Sequence, residues 1–208
     1  MKTSRLSARK TWHRREGAAA LRGEESDQEA IRRVLAGETD AFTILVERHH
    51  GAIYNYVFRM VGCRERAADL TQDVFVKVYT ALRSFDPSYR FTTWVYRIAY
   101  NRIIDHLRRK RMTLLPLSPT SGVADEGIVR EVATHQRGPE ERLLDQESAS
   151  SLARALAALS SEYRDLIILR HFQHRSYDEI AAIKNRPLGT IKNRLFRARE
   201  ALRRRVSG

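Results

Sequence analysis

The sequence predicts an all-α protein of two small helical domains joined by a flexible linker, with a helix-turn-helix in the second domain. Apolar residues recur at spacings of three and four over most of the chain, which is the pattern of helices with one buried face. No alternating strand pattern is convincing. A stretch over 112–139 contains prolines and glycines and lacks an apolar period, so we expect it to be a linker. A chain of 208 residues has room for two such domains.

Composition limits the environment and the partners of the chain. The formal net charge is +13, which favours a polyanionic partner, either nucleic acid or an anionic membrane. The single cysteine, Cys63, can form neither an internal disulfide nor a cysteine-rich metal site, so a reducing cytoplasm is the simplest location. No run of 18 apolar residues occurs and no apolar segment follows the basic start, so we expect no transmembrane helix and no secretory signal.

The chain begins with a predicted flexible basic extension over 1–23. It carries seven lysines and arginines against one acid, Glu16, and we expect it to make at most modest, non-specific DNA contacts. Acidic residues from Glu24 onward then begin the first helical pattern. We place the N-terminal domain at 24–111.

Within that domain the periodicity predicts consecutive helices. Two apolar stripes run from Ala41 to His49 and from Ile53 to Val61, and a further helix is predicted over 64–82. The segment 84–90 contains Asp86-Pro87-Ser88 and is predicted to be a turn, because proline fixes φ and keeps the preceding residue out of the helical region. A long helix is expected over 91–111.

The C-terminal domain, over 140–208, is predicted to contain four helices. Leucines between Leu143 and Leu159 indicate one long helix, and Tyr163 to Arg170 a second. Ser176 and Glu179 have the spacing of a capping box, in which each side chain bonds the other residue's amide, so a third helix is predicted over 177–184. Pro187 suits the first turn of a fourth helix over 188–206. A helix, a tight turn and a second helix is the arrangement that places the second helix in the DNA major groove.

The last helix has one apolar face and one face suited to DNA. The side opposite Ile191 and Leu195 presents a phenylalanine among basic and amide groups. Such an exposed ring is costly in water but can contact a thymine methyl, and arginine or lysine can bind guanine or phosphate. The predicted DNA-binding residues are Thr190, Lys192, Asn193, Arg194, Phe196 and Arg197. The arginines at 199 and 203–205 are expected to meet phosphate or solvent.

A second cluster surrounds the turn at 84–90. Aromatic side chains alternate there with basic and polar ones, and unpaired bases stack on aromatic rings while cations hold the backbone. Each aromatic residue taken alone is more often part of a core. The candidate residues are Phe85, Tyr89, Trp94, Arg97, Asn101 and Arg108. A chain with one region suited to duplex DNA and another suited to opened strands fits promoter recognition.

The chain resembles the extracytoplasmic-function sigma factors of bacterial RNA polymerase. The resemblance is carried by Ala68-Asp69-Leu70-Thr71-Gln72-Asp73-Val74-Phe75, by Phe91-Thr92-Thr93-Trp94-Val95-Tyr96-Arg97-Ile98-Ala99, and by the segment from Ser176 to Leu202. It implies that Asp69, Gln72 and Asp73 bind the clamp helices of the polymerase β′ subunit. It also implies that Phe85, Tyr89 and Asn101 hold a flipped base of the minus-ten element. The minus-thirty-five element would be read by Lys192, Asn193, Phe196 and Arg197.

The resemblance further implies the partners. They are core RNA polymerase, promoter DNA and an anti-sigma factor. The anti-sigma factor would cover both DNA-binding units, and a membrane-bound one would hold the chain at the inner face of the membrane. No cofactor, metal or small-molecule substrate is implied. The chain departs from the family pattern in its basic extension and in its turn from Lys184 to Pro187, where the family often has small or apolar residues.

Three alternatives remain open at this point. An enzyme with a metal site could use His49, His50, His171 and His174, but neighbouring acids or cysteines do not complete a ligand set, and no phosphate loop or nucleophile elbow occurs. A free-standing helix-turn-helix regulator explains residues 176–206 but not the other two motifs. Binding to an anionic membrane ranks last, because the basic helices lack a wide apolar face opposite their charge.

Overall fold

The computed structural model describes residues 21–113 and 151–206. The regular elements in these residues are helical, and no strand occurs among them. In chain order the helices are α1 (Leu21–Leu35), α2 (Phe42–Val61), α3 (Arg64–Ala81), α4 (Phe91–Thr113), α5 (151–157), α6 (Ser161–Ile167), α7 (Tyr177–Lys184) and α8 (Leu188–Val206). Short 3₁₀ turns precede α2 and follow α3, and a π-helix, Ile168–Phe172, continues α6. The predicted all-α class is confirmed.

The helix boundaries agree closely with those expected. Both helices of the helix-turn-helix begin and end at the predicted residues. Helix α1 starts at Leu21, three residues before the acids from Glu24 that were expected to begin it. Helix α4 continues two residues into the predicted linker. The rest of the basic extension and of the linker lie outside the described residues, as does the first part of the helix predicted from Leu143 to Leu159, of which 151–157 is described as α5.

The N-terminal region packs α2, α3 and α4 around one apolar core. The buried stripe of α2 includes Leu45, Ile53 and Met60, and that of α3 includes Leu70 and Val74. The chain reverses between α2 and α3 at Gly62, whose φ of 73° is a left-handed conformation that glycine adopts readily. These helices form the support that holds the loop between α3 and α4.

A buried carboxylate fastens α1 to α2. Asp27 is 2% exposed, and it accepts a hydrogen bond from Arg48 and pairs with His49 Nε2 at 2.9 Å. Burial alone raises the pKa of Asp27, but the hydrogen bonds from His49 and Arg48 and their charges lower it, so that the net pKa lies below the ordinary value of 3.8. The carboxylate of Asp27 is therefore ionised in the folded protein near neutral pH.

The C-terminal region packs α8 across α6 and α7. Ile191, Leu195 and Ala198 of α8 are buried, together with Leu166 and Ile180 of the facing helices. Ser160 caps α6 through its hydroxyl, which accepts the Tyr163 amide at 3.4 Å. The described part of this region thus contains the predicted helix-turn-helix.

The two regions also contact each other. Helix α7 lies against α4, and α2 lies against α6 and the π-helix, so that buried residues of both regions form one continuous core. Among the described helices, none is long and apolar enough to cross a membrane.

Candidate nucleic-acid interface

The outward face of α8 carries polar side chains around an exposed aromatic ring. Phe196 is 67% exposed, and Lys192, Asn193 and Arg197 are exposed beside it. The opposite face, with Leu195 and Ala198, is buried. The exposed residues can therefore contact DNA without any change in the core that supports them.

Two of the residues predicted to contact DNA from α8 are less exposed than the others. Thr190 and Arg194 are half-buried, and Arg194 forms an ion pair with Glu162 of α6. A base contact by Arg194 would require it to give up that pair, which is partly exposed and therefore weak. Arg194 thus lies at the edge of the candidate surface, while the four exposed residues lie at its centre.

The capping box is present with both of its hydrogen bonds. The Glu179 amide donates to Ser176 Oγ at 3.1 Å, and the Ser176 amide donates to Glu179 Oε2 at 2.7 Å. Helix α7 ends at Lys184 and is capped by Asn185, whose φ of 49° is left-handed, a conformation that asparagine tolerates better than most side chains. This stop sets the angle at which α8 leaves α7.

One arginine further along α8 is positioned by the rest of the domain. Arg199 donates to His171 Nε2 and to the Tyr177 hydroxyl, both at 3.3 Å. Partial burial, followed by the nearby charges of Arg199, Arg170 and His174, lowers the pKa of His171 below 6.5. His171 is therefore neutral near pH 7 and can accept the Arg199 hydrogen bond.

The loop between α3 and α4 is held by a local turn and by aromatic packing. The Ser88 amide donates to Asp86 Oδ1 at 2.9 Å, as expected for an aspartate that begins a turn. The half-buried ring of Phe85 lies 5.1 Å from Trp94 and 5.6 Å from the buried Phe91, measured between ring centroids. Phe85 and Trp94 therefore support the loop as well as offering part of their rings to solvent.

The remaining predicted residues of this cluster point into solvent. Tyr89 is 43% exposed at the tip of the loop. Along α4, Arg97, Asn101 and Arg108 are all exposed, as the predicted polar strip requires. The Arg108 guanidinium comes within 3.9 Å of Asp105, a long and exposed pair that leaves it available to phosphate.

The three residues predicted to bind polymerase lie on the outer side of α3. Asp69, Gln72 and Asp73 are exposed. Asp73 pairs with Arg102 of α4 at 3.0 Å. Gln72 lines an open groove of about 570 Å³ between α2 and α3, whose other walls are mostly aromatic and aliphatic, including Tyr54 and Phe75. This side of α3 combines acidic, amide and apolar groups and can dock a helical partner.

Two of the four histidines considered for a metal site have other partners. His49 pairs with Asp27, and His171 with Arg199. Within the described ranges, no group of three histidine, cysteine, aspartate or glutamate side chains could hold a metal ion.

A buried charge pair was missed by the sequence interpretation. Lys184, 8% exposed, donates to Asp165, which is fully buried, and the Tyr56 hydroxyl donates to Asp165 Oδ1 at 2.5 Å. A signal was present: Lys184 follows Ile180 by four residues and Ala181 by three, so it belongs to the buried face of α7. Lys184, the first residue of the turn that departs from the family pattern, therefore pairs with Asp165 inside the fold.

Two family descriptions match the chain. Residues 45–113 match sigma-70 region 2, and residues 149–202 match sigma-70 region 4. The chain is similar to the ECF RNA polymerase sigma factor SigW of Bacillus subtilis, with 32% identity over 176 residues that cover 85% of this chain and 94% of the relative. It is also similar to the sigma-H factor of Pseudomonas aeruginosa, with 34% identity over 185 residues covering 86% of this chain and 93% of the relative.

Solved structures show the same fold. CnrH, solved with the cytosolic domain of CnrY, superposes with a TM-score of 0.60 at 24% identity and covers 85% of this chain and 94% of its own. The Bartonella quintana sigma factor RpoE, solved with the anti-sigma factor NepR, gives a TM-score of 0.59 at 23% identity, covering 80% of this chain and 96% of its own.

Proposed function

The chain belongs to the extracytoplasmic-function sigma factors of the sigma-70 family, and from this premise we propose which of its residues contact promoter and polymerase. It binds core RNA polymerase and directs promoter-specific initiation of transcription. The outer face of α8 reads the duplex minus-thirty-five element. The loop before α4 and the polar strip on α4 capture the melted minus-ten element.

The exposed ring of Phe196 is the observation that carries this assignment. A phenylalanine that is 67% exposed on a well-packed helix loses contact with water only when a partner covers it. Its neighbours Lys192, Asn193 and Arg197 offer the donors and acceptors that base edges and phosphates accept. Together they favour the major groove of DNA over an apolar protein surface.

Polymerase docking is assigned to α3. Asp69, Gln72 and Asp73 share one exposed side of that helix, and the apolar groove beside Gln72 supplies surface for a packed helix. No residue of this side of α3 belongs to the surfaces of α4 and α8 that we assign to DNA, so the two assignments do not compete for the same side chains.

The remaining proposals concern partners and setting. We assign the chain no catalytic step of its own, and we place it in the cytoplasm with an anti-sigma factor as its inhibitor. The support for the inhibitor is that a sigma factor with this fold has been solved with an anti-sigma factor. A single helical inhibitor that contacts both regions is expected from a cell-wide pull-down, and a free, constitutively active factor without a partner would contradict it.

Run-off transcription tests the proposed function. Purified chain is added to core polymerase on a genomic DNA pool, and discrete new start sites are expected that core polymerase alone does not give. Asp73→Arg is expected to weaken the pull-down of core polymerase while the helical content stays normal, because it reverses a charge on the docking side of α3. Absence of both start sites and polymerase binding for the wild type would exclude the function.

The Asp73 variant needs a matched control, because Asp73 also pairs with Arg102. Arg102→Ala removes the same ion pair from the α4 side and leaves the α3 surface intact. If Arg102→Ala weakens polymerase binding as much as Asp73→Arg does, the effect belongs to the ion pair and α3 is not the docking surface.

A further inference from the structure

Basic and aromatic side chains from three elements of the C-terminal region meet beside α8. Arg199 of α8 donates from Nε to His171 Nε2 and from Nη2 to the Tyr177 hydroxyl, both at 3.3 Å. His171 lies on the π-helix that continues α6, and Tyr177 is the first residue of α7. The guanidinium carbon of Arg170, also on the π-helix, lies 4.9 Å from the centroid of the Tyr177 ring. The Arg199 guanidinium is therefore held at both ends by neighbouring elements.

This cluster borders the face of α8 that we assign to DNA. Arg199 follows Phe196 by three positions and Lys192 by seven, and these spacings bring side chains onto one side of a helix. Arg199 and His171 are both exposed, as Phe196 is. A DNA duplex that covers Phe196 therefore brings its sugar-phosphate backbone close to Arg199 and His171.

The surroundings of His171 are basic. Partial burial lowers the pKa of His171 below 6.5, and the charges of Arg199 on α8, Arg170 on the same π-helix and His174 in the following segment lower it further. The group that α7 contributes beside them is the neutral hydroxyl of Tyr177. The charges that act on this histidine thus include no acid, and a phosphate of the DNA backbone would supply the missing counter-charge.

The hydrogen bond between Arg199 and His171 requires a neutral histidine. Nε2 can accept the Arg199 proton only while it carries a lone pair, so the proton of the neutral ring is on Nδ1. When Nε2 is protonated, two cationic donors face each other across the same short distance. A phosphate oxygen can accept a hydrogen bond from each of them. Protonation therefore turns the contact between the two side chains into a pair of donors for one anion.

We propose that His171 and Arg199 form a proton-dependent clamp for one backbone phosphate of the duplex that α8 reads, so that the chain takes up a proton when it binds its upstream promoter element. Tyr177 is a positioning residue, because its hydroxyl holds the other end of the Arg199 guanidinium. The proposal rests on the proposed function, since it concerns the same surface of α8.

The direction of the pH dependence follows from this clamp. Phosphate stabilises the protonated ring, so the pKa of His171 is higher in the DNA complex than in the free chain, where it lies below 6.5. Affinity for the duplex is therefore greatest below the pKa of the free chain. It falls as the pH rises from that value to the pKa of the complex.

The clamp is tested by the pH dependence of holoenzyme binding to a promoter duplex at constant ionic strength. Wild-type affinity is expected to fall about three- to tenfold between about pH 5.5 and about pH 7.5. His171→Gln can still accept the Arg199 hydrogen bond but cannot take up a proton. It is expected to bind about three- to tenfold more weakly than the wild type at the lower pH and equally at the higher pH. Any pH dependence of polymerase itself is common to both proteins and cancels in their ratio.

His174→Asn is the matched control. His174 is an exposed histidine three residues from His171, and asparagine tolerates its left-handed φ of 51°. This variant is expected to keep the pH dependence of the wild type. Arg199→Ala removes the other half of the clamp, so it is expected to weaken binding at both pH values and to lose the pH dependence that distinguishes wild type from His171→Gln.

The phosphate is located with a series of duplexes in which one backbone phosphate at a time is replaced by an uncharged methylphosphonate. One position at the edge of the minus-thirty-five element is expected to remove the pH-dependent difference between wild type and His171→Gln. If the difference persists with every substituted duplex, the clamp does not bind duplex phosphate and the proposal is wrong.

Two further results would overturn the clamp. His171→Gln could retain the full pH dependence of the wild type, or it could weaken binding equally at both pH values, as a purely structural residue would. A wild-type chain that binds neither core polymerase nor promoter at any pH would instead contradict the proposed function.

Discussion

At the scale of single residues, exposure separates the side chains that can read bases from those that fix the surface. Phe196 and Arg197 extend from α8 without touching its core. Arg194, one turn away, is turned toward α6 by its ion pair with Glu162. Arg199 is held by His171 and the Tyr177 hydroxyl. We therefore expect sequence specificity on α8 to depend on the few exposed residues that no intramolecular contact holds in place.

Arg197→Ala is expected to alter sequence preference. If Arg197 contacts a guanine edge, its loss costs about 1–3 kcal/mol of binding and relaxes preference at one upstream promoter position. If it contacts only phosphate, binding weakens evenly across sequences and the salt slope falls by about one. The measurement is holoenzyme binding to a promoter library at two salt concentrations.

Arg204→Ala is the control for that experiment. Arg204 is exposed on the last turn of α8, beyond the part expected to enter the DNA major groove. Its loss is expected to weaken binding evenly across sequences, as for a phosphate contact. Unchanged sequence preference for Arg197→Ala would leave specificity to Lys192, Asn193 and Phe196.

At the scale of elements, the loop between α3 and α4 combines an ordered packing with the aromatic and polar groups that we assign to recognition of melted DNA. Its turn is fixed by Asp86, and the hydrogen bonds from Ser88 lower the pKa of that exposed carboxyl. Phe85 rests on Phe91 and Trp94, so the ring is already ordered before DNA arrives. Ordering in advance reduces the entropy lost on binding, which favours capture of an unpaired base by this loop.

Phe85→Ala is expected to reduce open-complex formation more than closed-complex binding. The half-buried ring offers a face on which an unpaired base can stack, and such stacking is worth about 1–3 kcal/mol per base. Permanganate reactivity reports strand opening, and a gel shift reports closed-complex binding. Equal loss in both measurements would mean that Phe85 supports the core rather than an unpaired base. Thermal unfolding of the variant checks whether its stability has fallen.

At the scale of the whole molecule, two buried carboxylates fasten separate parts of the fold. Asp165 joins α6 to α7 and receives Tyr56 from the other region, where burial and the negative charge of Asp165 raise the pKa of Tyr56 well above its ordinary value. Asp27 joins α1 to α2. The first contact crosses between the regions, whereas the second lies within the N-terminal region.

The stability of the N-terminal region is expected to depend on the ionisation of Asp27. Because the folded-state pKa of Asp27 is below 3.8, its stabilising effect is present above that unfolded value and is lost as the pH falls through the folded value. Asp27→Asn is expected to cost about 1–3 kcal/mol near neutral pH, since it removes charge-assisted hydrogen bonds to Arg48 and His49. Urea unfolding of both proteins at pH 7 and below pH 4 measures the difference.

At a pH below the lowered pKa of Asp27, which itself lies below 3.8, the two proteins are expected to converge in stability. A difference of the same size at both pH values would show that the Asp27 charge is not its source. Glu47→Gln is the control, because Glu47 is an exposed acid on the same helix as Arg48.

The sequence alone determined the elements and their local ends. Helix bounds follow from apolar periodicity, the Ser176–Glu179 capping box and Pro187, all of which depend on residues a few positions apart. The exposed faces of α3, α4 and α8 followed from the same periodicity, and the motifs indicated the family. Exposure alone does not show that these faces bind polymerase or DNA, so the roles of their residues stay predictions, as do the domain boundaries.

Only the tertiary structure decided what joins the elements. Tyr56 and Asp165 are 109 positions apart, and Asp27 and His49 are 22 apart, so no local pattern pairs them. The helical pattern placed Arg197 opposite the core, but it could not show that Arg194 turns to Glu162, because that depends on where α6 lies. Contacts between regions depend on how whole helices pack, and the energy of a buried charge depends on partners that the fold brings from distant parts of the chain.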